Sequence, residues 1–256
     1  MPEMYATERQ QEILTRARSA GRVEVRSLAK LLDVTQETVR RDLTALERRG
    51  FLHRVHGGAI PIERLGFEPA VPEREAVMAA EKERIARAAL DELPDGGAVI
   101  IDAGTTTALL AALLPVDLRL TVVTHALPIA VALANHPAVT VHMLGGTIRR
   151  STLAAVGRWA ERDVRDIYAD VAFIGTNGLT VAQGLTTPDL AEAAVKRALI
   201  AAARRTVVLA DHTKIGRTDF GHVAALAEVD TIITDVGVPA DVAAELEAAG
   251  PRVFLA

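Results

Sequence analysis

The chain has 256 residues, which is enough for one ordinary domain plus a smaller one. Half of the residues are hydrophobic, so we expect no long disordered span. It contains no cysteine, a feature that excludes disulfides and thiolate metal sites, and its polar N-terminus and short apolar runs predict a soluble cytoplasmic protein with no membrane segment. The net charge is −4, distributed as +3 over residues 1–60 and −7 over residues 61–256, so a modestly basic region precedes an acidic one.

The first thirty-four residues predict two helices and a short strand. Thr7 and Gln10 have the spacing of a capping box, and the apolar helical stripe that follows ends near Gly21. Residues 23–25 alternate as a short strand does, and residues 27–32 predict a second helix before a tight turn at residues 33–34. This spacing is typical of the first half of a helix-turn-helix.

Residues 35–49 predict the helix that enters a DNA groove. Thr35 can cap its N-terminus, and the apolar stripe of Val39, Leu43 and Leu46 must face a small core. A solvated amphipathic face would show similar charges, but the helix-turn-helix spacing favours DNA binding. Residues 51–60 add a hairpin around residues 56–58, which predicts a wing. We predict DNA contacts from the exposed helix face and the wing: Thr35, Gln36, Thr38, Arg40, Arg41, Arg54 and His56.

Residues 61–74 contain three prolines and a glycine without periodicity, so they predict a linker between domains at 1–60 and 75–256. From Glu75 onward, apolar runs alternate with helical segments, the pattern of a mostly parallel sheet with crossover helices. The predicted fold is therefore a small winged helix-turn-helix domain followed by a larger α/β domain. The seven predicted strands cover residues 98–103, 120–124, 139–144, 171–175, 206–210, 231–234 and 253–255.

Polar or glycine-rich segments follow several of these strands, at the edge of the sheet where ligands of α/β proteins collect. Free amides at a helix N-terminus after Gly104, with neighbouring threonine hydroxyls, form a cradle suited to phosphate. Each segment alone could be a helix cap or a turn, and a lone histidine is by default structural, but convergence at one edge favours a pocket. The predicted ligand-binding residues are Asp102, Gly104, Thr105, Thr106, Thr107, His125, Gly145, Gly146, Asn177, Asp211 and Lys214.

No catalytic constellation can be placed from the order of residues alone, and we predict no catalytic residue. His136 and His142 lack a partner spacing typical of a metal site. We therefore predict neither a metal nor a cofactor.

Both halves of the chain resemble the DeoR family of bacterial transcriptional regulators. The resemblance rests on ETVRRDLTALERRG and RVHGGA in the first domain, and on IDAGTTT, LTVVTHALPIA, LGGTIRR, AFIGTNGL, GLTTPDLAEAAVKRALI and VLADHTKIG in the second. It implies a sensor domain similar in fold to ribose-5-phosphate isomerase and glucosamine-6-phosphate deaminase, with a phosphate site at Gly104–Thr107 and Lys214 nearby. Two positions depart from the family: asparagine is common where this chain has His125, and Ala-Asp where it has Thr176-Asn177.

We expect a repressor of carbohydrate-metabolism genes, not an enzyme, that binds double-stranded operator DNA as a homo-oligomer. A phosphorylated sugar or related metabolite would control its operator affinity. The alternative is a phosphosugar isomerase or deaminase with an accessory DNA-binding head. Asn177 argues against turnover, because aldose isomerisation needs a positioned carboxylate to move a proton.

Overall fold

The computed structural model describes residues 5–20, 22–49, 51–55, 57–61, 68 and 70–256. It divides the chain into two compact units, Met1–Arg64 and Leu65–Ala256. His56 and half of the segment predicted as a linker, residues 62–67 and 69, lie outside the described residues. No helix in the described part of the chain is long and apolar enough to cross a membrane.

The smaller unit has, within its described residues, three helices and a three-stranded antiparallel sheet with the order β1-β3-β2. Apolar side chains from α1 and α3, such as Ile13, Leu43 and Leu46, are buried between the elements. A turn in which Asp33 has φ +51° connects α2 to α3. The arrangement is the predicted helix-turn-helix with a wing, and its elements are α1 (Ala6–Ala20), β1 (Val23–Glu24), α2 (Val25–Leu31), α3 (Gln36–Arg48), β2 (Leu52–Val55) and β3 (Gly58–Pro61).

An ion pair of low exposure ties α1 to α3. Arg9 Nε lies 2.5 Å from Asp42 Oδ2, and Gln10 Nε2 donates to Asp42 Oδ1 at 3.0 Å. Asp42 is the charged residue on the apolar side of α3, where it is buried beside Val39 and Leu43. Because a buried carboxylate without a partner is costly, the pair restricts how α3 can rotate against α1.

The larger unit is a three-layer α/β structure. Its elements, in chain order, are α4 (Val71–Ala76), α5 (Ala79–Ala88), β4 (Gly97–Ile101), α6 (Thr105–Ala112), β5 (Leu120–Thr124), α7 (Leu127–Leu133), β6 (Val139–Met143), β7 (Thr147–Arg149), β8 (Ala154–Val156), α8 (Arg158–Val164), β9 (Val171–Gly175), β10 (Gly178–Thr180), β11 (Gly184–Thr187), α9 (Leu190–Ala201), β12 (Thr206–Leu209), β13 (Gly221–Ala224), β14 (Thr231–Thr234), α10 (Ala240–Ala248) and β15 (Arg252–Leu255).

The central sheet has seven strands, paired in parallel throughout, in the order β15-β14-β12-β9-β4-β5-β6. All seven correspond to the predicted strands, which confirms the predicted fold class. The chain moves outward from β4 through β5 to β6, then returns to the other side of β4 and moves outward again from β9 to β15. The order therefore reverses between β4 and β9. Loops diverge at such a point and leave a crevice at the carboxyl ends of the two strands.

Several short elements were not predicted. The segment after β6 forms the β7–β8 hairpin, β10, β11 and β13 form a small antiparallel sheet, and α8 precedes β9. The single helix expected over residues 75–90 is instead two helices, α4 at residues 71–76 and α5 at residues 79–88, separated by Val77 and Met78. Pro72 stands in the first turn of α4, where proline is tolerated because its missing N–H would have no partner there.

Candidate functional site

A cleft opens at the carboxyl ends of β4 and β9, where the strand order reverses. Its empty volume, including the part open to solvent, is about 470 Å³. Seven of the predicted ligand-binding residues line it: Gly104, Thr105, Thr106, Thr107, Asn177, Asp211 and Lys214. The other lining residues are Arg74, Lys82, Ala103, Gly175, Thr176, Lys196, Leu209 and Ala210.

The N-terminus of α6 forms one wall of the cleft. Gly104 is its N-cap and provides no side chain to bond the amides of the first turn. The first intrahelical bond runs from Ala108 N to Gly104 O at 3.0 Å, so the amides of Thr105–Thr107 have no intrahelical acceptor. The Thr107 hydroxyl donates to Gly104 O at 3.0 Å and serves the backbone. This wall therefore presents amide donors and the positive end of a helix dipole, which suit an anion.

Cationic side chains outnumber acidic ones around the cleft. Arg74, Lys82, Lys196 and Lys214 line it, while Asp211 is the acidic residue among its described lining. Asp211 is buried, and its Oδ1 accepts from Thr213 N at 3.1 Å, which caps the turn that carries Lys214. The excess of positive charge favours an anionic ligand.

Lys82 is a deeply buried cation of the cleft lining, with 3% of its surface exposed. Its Nζ donates to the carbonyl oxygens of Arg74 and, at 2.6 Å, Val77. Burial, together with the charges of Lys214 and Arg74 and against the opposing charge of Asp211, lowers the pKa of Lys82 from 10.5 to about 8. A dianion in the cleft would stabilise the charged ammonium.

Asp102 and His125 lie beneath the floor of the cleft, both fully buried, and are not among its lining residues. His125 Nε2 lies 2.8 Å from Asp102 Oδ1, and His125 Nδ1 lies 2.9 Å from Ala155 O. Asp102 Oδ2 accepts from Gly175 N at 2.9 Å and contacts the ammonium of Lys196. Burial alone would raise the pKa of Asp102, but Lys196 and His125 outweigh it, and the pKa lies below its usual value. These contacts hold Lys196 at the cleft floor.

Gly145 and Gly146, also predicted as ligand-binding residues, do not line the cleft. They connect β6 to the β7–β8 hairpin. Gly146 has φ +151°, and a Cβ at this position would lie 2.7 Å from Val156 O. The close approach of the two hairpin strands accounts for this glycine.

Besides the cluster of Asp102, His125 and Lys196, a network of ion pairs around Glu68 borders the cleft, and the sequence did not predict it. The buried Glu68 carboxylate accepts from Arg74 Nη1 at 2.7 Å and Asn177 Nδ2 at 2.8 Å, and it also contacts Arg149. Burial would raise the pKa of Glu68, but Arg74, Arg149 and Asn177 hold it below its ordinary value. Arg149 Nη1 also lies 3.1 Å from Glu192 Oε2. Burial raises the pKa of Glu192, and the carboxylates of Glu68 and Asp102 raise it further against Lys196.

In the first turn of α3 in the smaller unit, Gln36 and Glu37 are exposed and Val39 is buried. Thr35 Oγ1 accepts from Thr38 N at 3.1 Å, which confirms the predicted N-cap. The Thr38 hydroxyl lies 2.9 Å from Thr35 Oγ1 and is half-buried, so it belongs to the cap as much as to the surface. The predicted DNA contacts Gln36, Arg40 and Arg41 are exposed.

Glu37 lies between the two arginines of this surface. Arg40 Nη1 is 3.6 Å and Arg41 Nε 3.8 Å from its carboxylate. Such pairs between exposed side chains contribute little stability, so both arginines can exchange Glu37 for DNA. On the wing, Arg54 Nη1 donates to Thr44 Oγ1 of α3 at 3.1 Å.

Comparison with known proteins decides the family. The model of the DeoR-like helix-turn-helix domain matches residues 9–64, and that of the DeoR C-terminal sensor domain matches residues 77–236. The chain belongs to the DeoR family. This DeoR-family protein is therefore a DNA-binding transcriptional regulator, as the sequence predicted.

Curated relatives match the DeoR-family chain over nearly its whole length. The HTH-type transcriptional regulator GlpR of Haloferax volcanii is 39% identical over 250 residues, 98% of each chain. A putative aga operon transcriptional repressor of Escherichia coli O157:H7 is 32% identical and covers 97% of this chain and 93% of its own. The HTH-type transcriptional repressor CsqR of Escherichia coli K12 is 31% identical, over 100% and 97% respectively.

Similarity to solved structures is distant. Ribose 5-phosphate isomerase A of Methanocaldococcus jannaschii is 15% identical with a TM-score of 0.40, over 54% of this chain and 55% of that one. The eIF2B beta subunit of Chaetomium thermophilum is 14% identical with a TM-score of 0.43, over 84% and 71%.

Sequence reasoning missed the cations that reach the DeoR sensor cleft from helices. Arg74 lies on α4, Lys82 on α5 and Lys196 on α9, whereas the prediction considered only residues at strand ends. Lys196 lies within a segment that carries the family resemblance, and the available signal was its place on the apolar face of a helix, three residues after Ala193 and three before Leu199.

Proposed function

We propose that the cleft binds a phosphorylated sugar or a related metabolite, and that its occupancy sets the affinity of the winged helix-turn-helix for operator DNA. The observation that carries this proposal is the meeting of the uncapped α6 N-terminus with Lys82 and Lys214 at the point where the strand order reverses. A phosphate monoester near neutral pH carries close to two negative charges and three acceptor oxygens, which matches amide donors combined with ammonium groups.

The sugar would lie beyond the phosphate, towards Asn177 and Asp211. Both residues line the cleft and have polar groups able to bond hydroxyls. Asn177 is already engaged, since its Nδ2 donates to Glu68 and its Oδ1 accepts from Thr187 Oγ1 at 3.0 Å. An amide fixed in this way selects hydroxyl orientation but transfers no proton, which supports a sensor over an isomerase.

For the DNA side, we propose that Gln36, Arg40 and Arg41 read bases and that Thr35 and Thr38 position the start of the helix. Arg54 and His56 would contact phosphates. Gln36, Arg40 and Arg41 are exposed on the first two turns of α3. Their exposure supports base contacts, because the N-terminal end of a recognition helix reaches deepest into the major groove. The relatives named as repressors favour repression. We propose carbohydrate-metabolism genes as the targets, because the cleft suits a sugar phosphate.

A test combines ligand screening with DNA binding. Thermal-shift measurements of the full chain with pentose, hexose and hexosamine phosphates should show a raised midpoint for at least one compound. That compound should change operator affinity in a fluorescence-anisotropy titration. Thr106→Ala and Lys214→Ala should abolish the response and leave operator binding intact, whereas Arg87→Gln, at an exposed position outside the cleft, should behave as the unchanged protein.

Turnover provides the opposing outcome. Incubation of the protein with the same sugar phosphates should yield no isomerised or deaminated product. Product formation at a rate that Lys214→Ala removes would instead establish the enzymatic alternative.

A further inference from the structure

The segment that leads into the sensor sheet lies against the cleft. This strap consists of residues 68 and 70–76 and includes α4. Its residues Val71, Arg74 and Glu75 border an extension of the cleft together with Gly104 and Thr105 of the anion-binding wall. The strap therefore covers the same helix N-terminus that we propose for phosphate.

Arg74 borders this region and has one side-chain donor without a partner in the described structure. Its Nη1 donates to Glu68 at 2.7 Å, but its Nε is buried and, in the described structure, has no hydrogen-bond partner. Buried donors nearly always have an acceptor, and an exception indicates a missing one. Because Arg74 lines both the cleft and its extension, a ligand in the cleft is the natural source of that acceptor.

We propose that Arg74 is a ligand-binding residue that couples occupancy of the cleft to the strap. An oxygen of the bound anion accepts from Arg74 Nε, while Arg74 Nη1 retains the strap carboxylate Glu68. The guanidinium thus joins the ligand to two points of the strap, its own backbone in α4 and Glu68. This inference rests on the proposed anion-binding function of the cleft. It adds the contacts through which ligand binding would stabilise the strap.

Lys82 strengthens the coupling from the other end of the strap. Two of the three ammonium donors are bonded to the carbonyl oxygens of Arg74 and Val77, and the side chain also lines the cleft. An anion in the cleft stabilises the charged form of Lys82, whose charge strengthens these two bonds. Met78, between α4 and α5, has φ +55°, an unfavourable conformation for a methionine. This junction is a point at which the strap can pivot when its contacts are lost.

The strap is joined through residues 65–67 to the unit that ends at Arg64 and carries the DNA-reading helix. A ligand that clamps the strap therefore restrains the start of the connection to the DNA-binding domain. The free protein would open the strap more often than the liganded one.

Hydrogen–deuterium exchange of the full chain tests the coupling, with inorganic phosphate and then ribose 5-phosphate as probes. Each probe is added to the unchanged protein, to Arg74→Gln and to the control Arg87→Gln, until exchange at residues 105–110 is slowed equally. We expect slowing of about fivefold or more at residues 71–77 in the unchanged protein and in Arg87→Gln. Arg74→Gln should show slowing at residues 105–110 alone.

Two outcomes would overturn the inference while leaving the anion site intact: slowing at residues 105–110 without any at the strap in the unchanged protein, or equal slowing of the strap in Arg74→Gln. Absence of slowing at residues 105–110 with both probes would contradict the proposed function instead. Arg74→Lys, which keeps the charge but lacks Nε, provides a second variant should the glutamine destabilise the fold. It should lose the strap response as well.

Discussion

Lys82 combines deep burial, two carbonyl partners and a position at the cleft, and its charge depends on pH in an accessible range. Its pKa is lowered from 10.5 to about 8 in the folded protein. Between these two values the unfolded chain binds more protons than the folded one, so the stability contributed by this residue rises with pH across that window. Below about pH 8 the ammonium is charged and available to an anion.

The affinity of the cleft for a sugar phosphate should therefore fall as pH rises from 7.5 to 9, and binding near pH 8 should be accompanied by proton uptake. Isothermal titration in buffers of different ionisation enthalpy measures both quantities. In Lys82→Gln, affinity should be weaker at pH 7.5 and nearly constant across this range. An unchanged affinity of the original protein between pH 7.5 and 9 would exclude Lys82 from the site.

Arg41 is 80% exposed and pairs with Glu37 at 3.8 Å, an interaction too weak to withhold it from DNA. Arg41→Ala should weaken operator binding by about 1 to 3 kcal/mol if the guanidinium bonds a guanine. Anisotropy titrations against the operator and random DNA distinguish an arginine that contacts a base from one that contacts a phosphate. A matched control is Arg16→Ala on α1, which should have a smaller effect. Equal losses on operator and random DNA would indicate a phosphate contact for Arg41.

The site could be predicted from sequence where a short segment contains the whole cue. Gly104–Thr107 follows an apolar strand and begins a helix, and the segment with Asp211 and Lys214 also follows a strand. Arg74 and Lys82 give no such cue, because their place at the cleft depends on how α4 and α5 pack on the sheet. Asp102 and His125 also follow strands, but they are fully buried and bond to each other beneath the cleft. Sequence spacing alone does not show whether a side chain at a strand end lines the cleft or lies beneath it.

At the scale of elements, the inner parallel strands β9, β12 and β14 were predictable because they are buried on both faces and form continuous apolar runs, as Val171–Gly175 does. The β7–β8 hairpin and the β10–β11 pair were not, since strands of three or four residues interrupted by glycine and threonine resemble turns. The winged domain was predictable from its helix period and the Thr35 cap.

Asp102 joins three elements of the sensor: its own position after β4, Gly175 at the end of β9, and Lys196 of α9. Asp102→Ala should lower the free energy of unfolding by about 3 to 5 kcal/mol, because the buried Lys196 ammonium loses its nearest carboxylate and keeps only Glu192 Oε1 at 3.8 Å as a charged partner among the described residues. Urea unfolding at pH 7 measures this loss. Since the pKa of Asp102 is depressed, its stabilising contribution should be present above about pH 4 and lost as pH falls further.

A different result would return Asp102 to the list of ligand contacts. If Asp102→Ala unfolds at the same urea concentration as the original protein but no longer binds a sugar phosphate, the carboxylate acts on the ligand. The structural account requires a change in stability.

At the scale of the whole molecule, one recognition helix covers only a few base pairs, so we propose a homo-oligomer that presents paired helices to a repeated or palindromic operator. Sedimentation-velocity analysis should show a species larger than the 27.2 kDa monomer at micromolar concentration. Operator DNA cut to a single half-site should bind more weakly than the full site. A monomer that binds one half-site as tightly as the full operator would contradict this proposal.

The most direct test of the central claim is an operator titration followed by fluorescence anisotropy at fixed salt, with and without the sugar phosphate that raises the melting midpoint, for the original protein and Lys214→Ala. An operator can be selected from a random DNA library with the protein itself. The ligand should change the operator affinity of the original protein by about 5-fold to 150-fold, while Lys214→Ala should bind DNA equally well and not respond. An operator affinity that no sugar phosphate alters, or an identical response in Lys214→Ala, would contradict the central claim.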